Sequence, residues 1–316
     1  MIPDFNWDAV IYETWQFDPW GTFQIILMGF FVAGSCGLIG SFVVLRRMAL
    51  MGDAISHSLL PGIAIAYLIT GTRDASAMFI GGVIAGLLTV LLVEAIHRNS
   101  RVKVDAAMGI TFSTFFAVGV ILITAFADHV DLDADCVLYG EIILVPFDAP
   151  VRWFGVPLGP ESVVQMGSVF LGLLVLIMLF YKELLVTTFD VGLARSLGLS
   201  PQVFHYGTMG VLSLVIVSAF EAVGAILVIA MLILPPATAL LLARRLSHVL
   251  VWTVVLSALY AIIGYHLDVW LNATMAGTMV VVALLIFCVV WMSTLVCRRW
   301  GQHAAMEAME SVETLT

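Results

Sequence analysis

Long apolar runs separated by short polar stretches set the pattern of this chain. A bilayer core about 30 Å thick needs roughly 20 apolar residues in helix to cross it. Runs of that order fall at about 22–45, 51–70, 76–96, 106–127, 162–181, 203–220, 222–243, 249–267 and 274–297, which makes nine candidate spans. The two runs flanking Glu221 have almost no loop between them, and read as a tight helical hairpin or as one broken element. In the first run Gly34, Gly37, Gly40 and Ser41 recur at spacings of three to four, and Gly82 and Gly86 do the same in the third. Such small-residue stripes let helix backbones approach closely where lipid gives no hydrophobic drive for association. The expected fold is all-α, a polytopic transmembrane helical bundle of about nine spans.

Composition makes a soluble fold untenable. Hydrophobic residues are 62% of the 316 and charged residues 11%, against roughly 45–50% and about 25% in soluble domains. The only lysines, Lys103 and Lys182, do not follow glycine, so the GxxxxGK[ST] phosphate loop is missing and the chain is no P-loop ATPase by itself. A net charge of −9 argues against a nucleic-acid partner. Cys36, Cys136, Cys288 and Cys297 form no CxxC pair, and three of them fall in apolar stretches as small packing residues. Neither HExxH nor GxSxG occurs, which leaves intramembrane proteolysis and an α/β-hydrolase elbow without support. The first twenty residues hold four acids and no base, unlike the basic start of a cleavable signal peptide, so the first apolar helix is expected to stay.

Loop charges give an orientation. With the N-terminus outside, Arg46, Arg47, Arg98, Arg101, Lys103, Lys182, Arg195, Arg244, Arg245, Arg298 and Arg299 lie in the cytoplasm, and only Arg73 and Arg152 outside. The division is then an extracytoplasmic segment 1–21, a transmembrane domain 22–297 and a cytoplasmic tail 298–316. Asp128, Asp131, Asp133 and Asp135, with His129 among them, fall outside. They read as an acidic mouth that concentrates divalent cations, or as a solvated loop without a role.

Ionisable groups inside spans are costly and mark cavities or partners. Asp53 and His57, in GDAISHSLLPG, are four residues apart and share one helix face. A carboxylate and an imidazole one turn apart suit a first-row divalent metal; the same spacing also suits an Asp–His hydrogen bond closing a helix interface. Two ligands are half a site. Asp53 is six residues past Arg47, about 9 Å of rise, which places the pair nearer the cytoplasmic face unless the arginines line a vestibule. Glu221 is an auxiliary ligand or gate, or a polar residue capping an outer turn, and Pro235-Pro236 bends or ends the next helix. Glu94-x-x-His97 resembles half of a carboxylate-bridged site at a helix end, while His205, His248 and His266 are isolated. From Lys182 to Gln202 a short amphipathic helix is expected, ended by Gly198 and Pro201 and suited either to a partner's groove or to the membrane surface.

The segment LRRMALMGDAISHSLLPG resembles the signature of permeases in the metal-ion ABC importer family, whose members carry zinc, manganese or ferrous iron. DADCVLYGEIILVPFD, FDVGLARSLGLSP and VGAILVIAMLILPPATALLLA match the family's pattern in order, from about residue 22 to 297. The resemblance implies a type II importer fold and a second permease, identical or paralogous. It also implies separate ATPase subunits and an extracytoplasmic metal-binding protein, in a bacterial plasma membrane. It makes Asp53 and His57 pathway ligands for a transported metal, with no covalently bound cofactor. The helix at about 189–201 becomes the coupling helix, with Asp190, Ala194, Leu197 and Gly198 at the ATPase contact. The termini lie outside the resemblance. Two other readings remain: a permease for a metal chelate of haem or cobalamin type, and a gradient-driven metal transporter. Competition by the free ion separates the first, and uptake by this chain alone separates the second.

Overall fold

The computed structural model describes residues 7–71, 75–126, 142–153 and 156–313. A short helical segment, Asp8–Glu13 running into Thr14–Phe17, precedes α1 (Pro19–Leu45). Then come α2 (Met51–Ser58), α3 (Leu60–Thr70), α4 (Ala75–Asn99) and α5 (Val104–Phe126). A short 3-10 helix, Ile142–Phe147, leads to the hairpin β1 (Pro150–Trp153) and β2 (Val156–Pro160). The second half holds α6 (Glu161–Leu179), α7 (Tyr181–Phe189), α8 (Val191–Ser196), α9 (Pro201–Val223), α10 (Ala225–Leu242), α11 (Leu246–Leu271) and α12 (Met275–Glu313). The acidic run 128–135, Cys136 and the start of the motif at 135–150 lie outside the described residues.

Among the described residues, eight helical stretches are long and apolar enough to cross a membrane, with α2 and α3 together making one of them. The ninth expected span is the shorter apolar helix Ile226–Leu242. It parts from α9 at Gly224, whose φ of 76° is left-handed and ends the preceding helix. The antiparallel β1–β2 pair, running from Pro150↔Pro160 to Trp153↔Val156, is a small addition to the helical pattern.

α1 is the centre of the bundle. Its apolar window is 78% buried, against 11% for α12 at the periphery, and it packs on α6, α9, α10 and α11. The small-residue stripe explains how. Gly34 faces the Phe170 ring, Gly37 faces Thr253 and Pro235, and a Cβ on Gly40 would overlap the Leu232 carbonyl. On α4, Gly86 faces Ser213 and Ile55, and Gly82 faces Val217. Three helices therefore meet at Gly86: α2 through Ile55, α4, and α9 through Ser213.

Candidate functional site

Residue 61 is proline, so it offers no N–H to the carbonyl four residues back, that of His57. The helix breaks at Leu59 and resumes as α3, where Ile63 N–H donates to the Leu59 carbonyl at 3.1 Å. The short α2 left by this break buries Met51, Ala54, Ile55, Ser56 and Ser58 against the bundle. Asp53 and His57 fall on the uncovered face, at 37% and 38% side-chain exposure. His57 Nε2 lies 3.3 Å from Asp53 Oδ1. Phe112 and Phe116, one turn apart on α5, flank the imidazole with ring centroids at 5.8 and 6.1 Å.

Contacts also give the depth of the pair. Ile55, between the two residues, meets Gly86 and is level with Ser213. Gly86 is the twelfth residue of 25 in α4, and Ser213 the thirteenth of 23 in α9. The pair thus sits halfway along the helices beside it, deeper than the count from Arg47 suggested. The turn before α2 accommodates this. Arg46 folds inward, with Nη2 donating to Thr188 Oγ1 of α7 at 3.4 Å and Nε buried without a partner. Burial pulls its guanidinium below the ordinary arginine value.

Among the described residues, no third His, Cys, Asp or Glu joins the pair. Glu221 belongs to the last turn of α9. It is eight residues beyond Ser213, about 12 Å further along the helix axis, and its side chain lies outside the description. Glu94 and His97 do not act together. Glu94 pairs with Arg98 and with His205 Nε2 at 3.6 Å, while His97 Nδ1 lies 3.1 Å from the Val102 carbonyl. Arg98 also sits over the Tyr206 ring at 5.8 Å, so this group ties the end of α4 to the start of α9. Spacing along one helix had no means of showing the His205 contact, which joins residues more than a hundred positions apart. His266 Nε2 meets Trp15 Nε1 at 3.4 Å.

The short helix expected at about 189–201 is α8. The Asp190 carboxylate caps it, accepting from Leu193 N–H at 2.9 Å. Gly198, with φ 78°, closes it in a Schellman arrangement: Leu199 N–H donates to the Ala194 carbonyl at 3.0 Å and Gly198 N–H to Arg195 at 3.1 Å. Ala194 is fully buried and packs inward, so Asp190, Ala194 and Gly198 build the element. Leu197, with Phe189, Val191 and Leu193, is the apolar surface it leaves uncovered.

Eight apolar helices of membrane-spanning length among the described residues, an Asp53–His57 pair halfway along the helices beside it and a capped helix between two spans have the form of a membrane permease. Residues 21–294 match the ABC 3 transport family, and the chain belongs to it. It is 45% identical over 264 residues to the manganese transport system membrane protein MntD of Bacillus subtilis, covering 84% of this chain and 88% of that one. The zinc transport system membrane protein TroD of Treponema pallidum is 45% identical over 271 residues, 86% of this chain and 73% of TroD. Among solved structures, PsaBC from Streptococcus pneumoniae in complex with Fab superposes with a TM-score of 0.71 at 34% identity, covering 89% of this chain and 94% of that one. A second solved transporter, in an inward-facing conformation, shares the fold alone, at a TM-score of 0.61 and 17% identity over 86% of this chain and 85% of that one.

Proposed function

We propose that this chain is the permease subunit of an ATP-binding cassette importer for a free divalent transition metal: zinc, manganese or ferrous iron. The observation that carries the reading is the Asp53–His57 pair, more than a third exposed, halfway along the helices beside it and flanked by Phe112 and Phe116. The metal is the cargo. One carboxylate oxygen and one imidazole nitrogen per subunit hold it transiently, and water or a second permease, identical or paralogous, supplies further ligands. Such an incomplete donor set suits passage, which needs binding strong enough to admit an ion and weak enough to release it.

The chain has no phosphate loop, so the work comes from separate ATPase subunits. The uncovered side chains of α8 are their docking surface, with Asp190 and Gly198 fixing the helix ends that transmit the stroke. An extracytoplasmic binding protein delivers the ion on the side where loop charge places the N-terminus. Glu221 is kept as an auxiliary group on the route rather than a ligand beside the pair. A bulky chelate would be held by shape and apolar walls, and a mid-depth carboxylate–imidazole pair speaks for the free ion instead.

The test is ATP-dependent uptake of radiolabelled Zn²⁺ and Mn²⁺ by vesicles holding the whole complex, with Asp53→Ala and His57→Ala beside the wild type. Groups that merely orient a metal ligand contribute about 10–100-fold in affinity, so losing a ligand is expected to cost at least as much uptake. Assembly should persist in both variants. Normal transport by both would make the pair a packing contact and defeat the reading.

A further inference from the structure

The segment ahead of the family match, with the first residues of the match itself, carries a row of aromatic side chains with a use of its own. Trp7, Tyr12, Trp15, Phe17, Trp20 and Phe23 are all exposed, Phe17 at 87% and Trp20 at 64%. The backbone beneath them is held. Val10 is buried, Thr14 Oγ1 donates to its carbonyl at 3.0 Å, and the Thr22 hydroxyl lies 3.3 Å from the Thr14 carbonyl and 3.1 Å from the Tyr265 hydroxyl. The Trp15 contact to His266 adds a tie to the end of α11. A docked segment that buries its aliphatic side and turns its rings outward is built to meet something.

We infer that residues 7–23 form an interfacial anchor, seated in the zwitterionic headgroup zone of the bilayer where α1 begins. Four observations choose lipid as the occupant. The rings are chiefly Trp and Tyr, whose apolar bodies and polar N–H or O–H tips suit the membrane–water boundary. Asp18 caps α1 by accepting from Gly21 N–H at 2.9 Å, so a carboxylate marks the water side within one turn of Phe17 and Trp20. Trp20 stacks on Phe23 at 5.9 Å, and the half-covered Leu27 and Phe30 extend the same face at helical spacing into the span. The patch therefore continues a lipid-facing stripe instead of standing apart from it. Finally, no Lys or Arg occurs before Arg46, so anionic headgroups gain nothing here.

The full chain is reconstituted into phosphatidylcholine liposomes brominated either close to the headgroup or near the chain ends. The contributions of three rings are read by subtraction, using the single variants Trp7→Phe, Trp15→Phe and Trp20→Phe. Loss of their emission with the shallow bromine, smaller loss with the deep one, and no need for any added protein is the expected result. Emission that ignores both lipids but yields to aqueous acrylamide overturns the anchor. So does shielding that appears only when an extracytoplasmic binding protein is added, which would make the patch a protein dock. Radical footprinting of the unaltered chain in the same liposomes needs no variant: the three rings should be oxidised less than in an unfolded peptide, and equal oxidation overturns the proposal.

Discussion

At the residue scale, the Asp53–His57 pair depends on neighbours that supply no metal ligand. Phe112 and Phe116 from α5 flank the imidazole, and on the proposed reading they limit the rotational freedom that an ion-binding group gives up. Removing one ring should leave the ligands in place but less well posed. Phe116→Ala is therefore expected to raise the half-saturating metal concentration for uptake more than it lowers the maximal rate, with Phe116→Leu between variant and wild type. A fall in maximal rate alone, at unchanged half-saturation, would assign Phe116 to packing. The pair itself was legible, because four-residue spacing on a helix places two side chains on one face. Its depth was left open, since the count from Arg47 put the pair near the cytoplasmic face only if the arginines do not line a vestibule, and Arg46 folds inward onto Thr188. The two phenylalanines were invisible for a related reason: they lie on another helix, and apolar residues in a span carry no mark of which one faces a ligand.

At the scale of elements, glycine spacing in α1 announced close packing, and the contacts name the partners. Gly40 is the tightest case, because the obstacle is the Leu232 backbone carbonyl, which has no rotamer to change. Overpacking of this kind costs about 1–3 kcal/mol where side chains give way, and more is expected against backbone. Gly40→Val should lower the unfolding temperature of the detergent-solubilised complex well below that of Gly109→Val, where a Cβ meets nothing within 4 Å. Equal temperatures would show that α1 and α10 separate easily. The short α8 makes a different demand. Leu197 is 62% exposed, so Leu197→Asp should leave folding and metal binding intact while abolishing metal-dependent stimulation of the partner ATPase. Retained stimulation would move the docking surface elsewhere. The amphipathic run ended by Gly198 and Pro201 located this helix, but which of its residues face outward needed the fold, in which Ala194 is buried.

At the scale of the molecule, a charged face left open at mid-depth is expensive for a chain standing alone in lipid. Asp53 and His57 expose more than a third of their side chains on α2, while every other described residue of that helix is buried. An open polar face of this kind is tolerable only where water or another subunit meets it, and on the proposed reading the isolated chain is an unfinished pathway. On the proposed reading the work comes from separate ATPase subunits, since the sequence holds no phosphate loop. Liposomes holding this chain by itself should consequently take up no Mn²⁺ or Zn²⁺ under an imposed proton or sodium gradient, in either direction of the gradient. Uptake should appear when the ATPase subunits and ATP are supplied, and should vanish again with Asp53→Ala. Gradient-driven uptake by the chain alone would mean that the half-site closes without the ATPase, and the open face would then have to be covered by a second copy in a self-sufficient carrier.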